Sequence, residues 1–146
     1  MIYEAKAEVI DFSIKGDSRG YLVPFEDGVN MPFAPKRFYY IYGTDTTVQR
    51  GFHAHKELKQ LLIATSGSVR IQCEWNGQKK VFLLDSPTKG LLLDGMVWHV
   101  MDNFSKDCVL SVLASDLYNE ADYVRNYEVF KQYEAEYLAH LQSKVA

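Results

Sequence analysis

Cysteine occurs only twice, at Cys73 and Cys108, and the two form no CxxC pair, so the chain carries neither a thiolate metal knuckle nor a disulfide framework. Each sits in an apolar, strand-like segment and reads as a buried, reduced thiol. Long apolar runs are missing too. No segment approaches the roughly 18 apolar residues of a transmembrane helix, and Glu4, Lys6 and Glu8 interrupt the N-terminal stretch where a signal peptide would need an apolar core. A cytoplasmic protein with no membrane partner is the expectation. Nor is there an excess of positive charge: the formal net charge is −3 and the pI about 5.8. That balance argues against a nucleic-acid partner and leaves room for a local basic pocket that takes a small anionic ligand. No repeat, low-complexity tract or linker divides the 146 residues, a length that fits one domain over 1–146 with a real core.

What the chain does have is a regular rhythm of turn signals from Gly16 to Gly95, the mark of an antiparallel β domain. The pattern predicts strands at Ala7–Phe12, Gly20–Phe25, Arg37–Tyr42, Gln49–His55, Lys59–Ser66, Gly67–Trp75, Gln78–Leu84, Gly90–Leu93, Trp98–Asn103 and Cys108–Ala114. The clearest turn is Asn76-Gly77, a pair suited to the positive φ angles of a type I′ hairpin. Before it, Val69, Ile71, Cys73 and Trp75 alternate with Arg70, Gln72 and Glu74, as a strand with one buried face requires. After Asp116 the period becomes helical, with Tyr123, Val124, Tyr127, Phe130, Tyr133, Tyr137, Leu138 and Leu141 on one stripe. A helical segment over 117–142 is therefore expected, its tyrosines packing against a sheet or a partner subunit. About ten strands over 1–116 and one helix imply an all-β closed barrel or two-sheet sandwich, which hides the strand edges.

Of the four histidines, His140 falls on the predicted helix near the terminus and reads as a surface residue. His53 and His55 are two apart within Arg50-Gly51-Phe52-His53-Ala54-His55-Lys56. On a strand they share a face, with Cα atoms roughly 6.5–7 Å apart. His99, after the turn-like Asp94-Gly95, could reach the same cavity. The pair suits either metal ligation or proton transfer, because imidazole titrates near neutral pH and can take and return a proton. Moving a proton between carbons beside a carbonyl also needs stabilisation of an enediolate-like intermediate. Arg37, Tyr39 and Arg50 lie on neighbouring strands for that purpose, and Arg19, at a turn, could fork onto a diphosphate.

The histidine spacing is similar to the cupin superfamily, whose first motif reads Gly-x5-His-x-His-x3,4-Glu-x6-Gly and whose second ends in His-x3-Asn. His53, His55, Gly67, His99 and Asn103 fall in place, while Thr47 replaces the opening Gly and Gln60 the Glu that metal-binding cupins carry. Losing that carboxylate lowers affinity for a divalent metal without forbidding a three-histidine site. A closer resemblance runs through almost the whole chain. Asp17-Ser18-Arg19-Gly20, Lys36-Arg37-Phe38-Tyr39-Tyr40-Ile41, the arginine-flanked His-Ala-His, Leu84-Asp85-Ser86-Pro87, Trp98-His99 and Leu113-Ala114-Ser115-Asp116 resemble the dTDP-sugar 3,4-ketoisomerases.

That resemblance implies a cupin (double-stranded β-helix, jelly-roll) barrel with a C-terminal α-helix, a homodimer that exchanges N-terminal strands, and no metal or organic cofactor. It implies conversion of dTDP-4-keto-6-deoxy-D-glucose to a 3-keto-6-deoxyhexose, within deoxyamino-sugar biosynthesis. His53, His55 and Tyr39 match the family's catalytic positions, with His53 taken as the base. Arg19, Arg37 and Arg50 match diphosphate and enediolate partners, and Trp98 and His99 are expected to line the pocket. The competing readings are a 3,5-epimerase-like cupin, a three-histidine metal dioxygenase on His53, His55 and His99, and a sugar-nucleotide-binding barrel without turnover.

Overall fold

A computed structural model describes residues 1–145. Two five-stranded antiparallel sheets face each other, in the orders β1-β9-β6-β11-β4 and β12-β5-β10-β7-β8. The first contains β1 (Ala5–Asp11), β4 (Arg37–Ile41), β6 (Lys59–Ser66), β9 (Lys89–Gly95) and β11 (Val109–Ala114). The second contains β5 (Arg50–His55), β7 (Val69–Trp75), β8 (Gln78–Leu84), β10 (Trp98–Asp102) and β12 (Tyr123–Val124). A separate two-stranded hairpin, β2 (Lys15–Asp17) with β3 (Gly20–Leu22), stands on the surface with Tyr21 and Leu22 exposed. The all-β barrel with one C-terminal helix is thus the observed architecture.

Alternation decides which side chains fill the interior. Leu62 and Ala64 of β6, Val69, Ile71, Cys73 and Trp75 of β7, Leu91 and Leu93 of β9, and Leu110 and Val112 of β11 meet between the sheets. At Asn76-Gly77 the backbone takes φ of 50° and 77°, and β7 and β8 pair from Val69↔Leu84 to Trp75↔Gln78, as the turn predicted. Both cysteines are free and buried, and burial at this centre pushes the Cys73 thiol up to about 12, which disfavours its reactive thiolate.

The outer faces are covered by different means. On the first sheet, Leu61, Ile63 and Leu92 pack under Phe12, Phe33 and the flanking Val23, Phe25 and Met31. On the second, Ala54, Met96 and Val124 pack under Phe130 of α1 (Tyr127–Val145). The helix begins ten residues later than the expected 117: residues 120–122 form a 3₁₀ turn capped by Asn119, and Tyr123–Val124 pair with His55 and Ala54 of β5. Asn126 starts the helix, its Oδ1 accepting from Val129 N at 3.1 Å. The helical period of the sequence fitted residues 123–124, but pairing with β5 overrides it. No helix among the described residues is long and apolar enough to cross a membrane.

Candidate active site

The barrel interior changes character at one end, where Leu62, Met101 and Val112 floor a cavity of about 300 Å³ walled by Arg37, Tyr39, Arg50, His53, Gln60, His99 and Tyr123. Two strands bring the three histidines together. His53 and His55 share a face of β5, and His99 of β10 sits directly opposite His53 in register. The rings lie edge to face, with centroids 4.7 Å apart for His53 and His99 and 5.0 Å for His53 and His55. One ring nitrogen from each lies within 4.8 Å of the others, a spacing that acid–base groups and metal ligands share.

Their surroundings set their charge. His53 is pushed down to about 4, by burial first and then by the neighbouring His55. His99 is driven well below its ordinary value by burial, reinforced by His53 and His55. Both are neutral at pH 7 and can accept a proton. Their Nδ1 atoms face the carbonyls two residues back along the chain, Gly51 O at 3.1 Å and Val97 O at 3.0 Å. An Nδ1–H donating to such a carbonyl leaves Nε2 as the basic nitrogen.

Tyr39 enters from β4, two residues from Arg37 and on the same face, with the Arg37 guanidinium 5.2 Å from its ring centre. Burial, then Tyr123, raises the phenol, so it stays protonated. Gln60 Nε2 donates to Tyr39 Oη at 2.8 Å. An amide donor here occupies the phenol's lone pair and leaves its O–H free for the cavity. A glutamate would accept that proton instead. Position 60 therefore orients the Tyr39 hydroxyl, beyond being the place where a cupin metal ligand is missing.

The arginine ion pairs of the described residues are Arg19–Asp17, Arg70–Asp102 and Arg125–Glu120. Arg37 and Arg50 are thus left without a carboxylate, in a cavity suited to an anion. Three expected residues do not line that cavity: His55, which sits beside His53 but borders a different space, Trp98 and Arg19. Trp98 lies on the outer face of β10, with its ring 5.3 Å from Tyr127 and 5.7 Å from Phe130, because neighbours on a regular strand point to opposite sides. Arg19 sits on the exposed hairpin, its side chain 88% exposed and forked onto Asp17 at 2.5 Å. Within one chain it does not meet the histidines.

Two residues were missed. Tyr123 packs against His53 and His55, with centroids 5.0 and 4.4 Å away. Asp122 holds its carboxylate 3.6 Å from His55 Nδ1 while accepting from Glu57 N at 3.0 Å and Leu58 N at 3.2 Å. Burial would raise that carboxyl, but His55 and the two amides outweigh it and hold it below the usual range. His55 is 2% exposed, with neither ring nitrogen hydrogen-bonded inside the chain. Asp122-Tyr123 is among the segments that resemble the ketoisomerases, but the helical reading of 117–142 assigned it to packing, and only the pairing of Tyr123 with His55 turns it to the histidines. His55 instead lines a second cavity of about 490 Å³, together with Lys36, Arg37, Asp116, Tyr118 and Tyr123.

A two-sheet cupin barrel with an inward cluster of histidines, His53 and His99 neutral among them, a protonated tyrosine and unpaired arginines defines a class: barrel enzymes that work on anionic substrates by acid–base chemistry. Comparison with known proteins makes this specific. The family described as FdtA, WxcM-like, C-terminal, matches residues 5–135, and the chain belongs to it. The chain is 48% identical over 126 residues, covering 86% of itself and 91% of the relative, to a TDP-4-oxo-6-deoxy-alpha-D-glucose-3,4-oxoisomerase of Aneurinibacillus thermoaerophilus. Among solved structures it matches the sugar 3,4-ketoisomerase QdtA of Thermoanaerobacterium thermosaccharolyticum in complex with TDP. That match has a TM-score of 0.86 and 39% identity, covering 89% of this chain and 95% of the other. A histidine-to-asparagine mutant of QdtA, in complex with TDP-4-keto-6-deoxyglucose, matches with a TM-score of 0.86 and 38% identity, over 89% and 94% of the two chains. A 3,4-ketoisomerase from Helicobacter canadensis matches with a TM-score of 0.84 and 41% identity, over 88% and 97%. The chain is an isomerase of the sugar 3,4-ketoisomerase group.

Proposed function

We propose that this chain converts dTDP-4-keto-6-deoxy-D-glucose to a dTDP-3-keto-6-deoxyhexose by proton transfer through an enediol. The observation that carries the reading is the neutral His53 facing His99 in a cavity that also holds a protonated Tyr39 and two unpaired arginines. His53 takes the proton from C3, and the electrons of that bond form a C3–C4 double bond while the C4 carbonyl becomes an oxyanion. Tyr39 and the guanidinium groups of Arg37 and Arg50 stabilise that oxygen. The O3 proton is then lost, O4 gains one, and C4 is protonated. The carbonyl ends on C3 with no net oxidation. His55 and Tyr39 serve the oxygen protons or the return to C4.

No step calls on a metal, and Gln60 supports this, since its amide is committed to Tyr39 and supplies no anionic ligand. For the diphosphate we assign Arg19 to a second copy of the chain, in a homodimer with exchanged N-terminal segments. The exposed β2–β3 hairpin that carries Arg19, Tyr21 and Leu22 supports that assignment. A cytoplasmic setting fits the two buried thiols.

The test is conversion in heavy water followed by NMR. The expected product is a 3-keto sugar with deuterium on C4. Exchange at C3 and C5 with C4 still a ketone would make the protein an epimerase instead, and activity abolished by a chelator would favour a metal on the three histidines. Light scattering reports whether the protein is a dimer.

A further inference from the structure

Arg50 lies three residues from His53, and on a regular strand an odd separation puts two side chains on opposite faces. Yet both line the same cavity. The register against β10 explains how. His99 pairs with His53, Val100 with Gly51 and Met101 with Arg50, so Phe52 is an extra residue with no partner. His99 and Met101 face inward, and the extra residue carries Arg50 back to their side. Gly51 and Phe52 accommodate it at φ of 97° and 59°. For a bulky aromatic residue this backbone is an outlier. Phe52 gains little burial for it: the residue is 48% exposed and does not line the cavity. Gly51 is required as well, since a Cβ there would lie 2.7 Å from the His99 carbonyl oxygen.

We propose that the Gly51–Phe52 bulge is a positioning device whose function is to turn Arg50 into the substrate cavity. The inference rests on the reading that Arg50 binds the anionic substrate. Bulges beside active sites commonly re-aim a side chain, and here the re-aimed group can be named. Removing the distortion at constant length turns Arg50 outward, whereas removing the extra residue itself leaves Arg50 two positions from His53 and facing inward without any bulge.

The experiment is a mutant cycle on KM for the dTDP-linked 4-keto sugar. Arg50→Ala is expected to raise KM about tenfold or more, the loss of one charge-assisted contact. Gly51→Val, which disfavours positive φ, raises KM by a similar factor, adds nothing in the Arg50→Ala background, and is rescued when Phe52 is deleted in the same chain. A strain defect unconnected with Arg50 would raise KM in the Arg50→Ala background as well. Additive losses, or a Gly51→Val defect that the deletion leaves in place, overturn the inference while Arg50 keeps its role. An unchanged KM in Arg50→Ala removes the role of Arg50 and the inference with it. If Gly51→Val does not fold, Phe52→Val disfavours the same backbone and runs the same cycle.

Discussion

Strands β4 and β5 each deliver an arginine and an acid–base group to one cavity, from opposite sheets. On β4, Arg37 and Tyr39 arrive by plain alternation, two residues apart on an unbroken ladder with β11. On β5, His53 and His55 follow the same rule, but Arg50 arrives only through a register shift against β10. The supports differ as well. Tyr39 is set by a neutral amide from β6, and His55 by a carboxylate from the segment after the barrel. A regular strand fixes which face a side chain takes. An irregular one needs its partner strand before the face is decided.

The sharpest way to break this comparison is on β5. His53→Asn is expected to lower kcat by about 10³-fold, in the range of a lost general base, with the fold kept. Retained turnover would move the base to His55. On the β4 side, Tyr39→Phe is expected to cost about 10²-fold in kcat. Gln60→Glu should match it, because a carboxylate there takes the phenol proton out of the cavity. The double variant should lose no more than either single change, whereas additive losses measured by steady-state kinetics would separate the two residues.

Asp122→Asn tests the other support. It keeps the shape and removes the charge beside His55, with an expected loss of about tenfold in kcat, the scale of an outer carboxylate that orients a histidine. A change in KM with kcat intact would instead make Asp122 a substrate contact.

Acid should weaken the histidine end selectively. In the folded protein His53 titrates at about 4, below its ordinary 6.5, so the unfolded chain binds the proton first. Its stabilising contribution is complete above pH 6.5 and is lost as pH falls toward 4, by up to about 1.4 kcal/mol per pH unit. His99 is shifted the same way. Denaturant unfolding from pH 7 to pH 4 should show the loss, and a His53→Asn variant should show less of it.

The smallest effect on turnover is expected at Trp98. Trp98→Ala should leave kcat/KM within about twofold while costing about 3 kcal/mol of stability, because the ring packs under α1 on the far side of β10 from His99. A large loss of activity at unchanged stability would return Trp98 to the pocket.

Much of this was legible beforehand. The Asn76-Gly77 hairpin, the shared face of His53 and His55 and the pairing of Arg37 with Tyr39 all follow from local period, and strands β6 and β8 have the ends the pattern predicts. Trp98 was legible too, since the alternation that turns His99 inward turns its neighbour outward. Residues 117–126 were misread because Tyr123 and Val124 fit a helical stripe whose competing partner, β5, is more than 60 residues away.

The sequence by itself determined what nearest neighbours along the chain control: alternation, turn chemistry, an amphipathic C-terminal helix though not its start, and an inventory of neutralisable histidines with arginines nearby. Only the tertiary structure decided that His99 would meet His53, that Gln60 would donate to Tyr39, that Asp122 would stand behind His55 and that Arg50 would face inward. Each of those depends on register between strands distant in sequence. Register is set by how whole faces are buried against each other, and no local pattern encodes it.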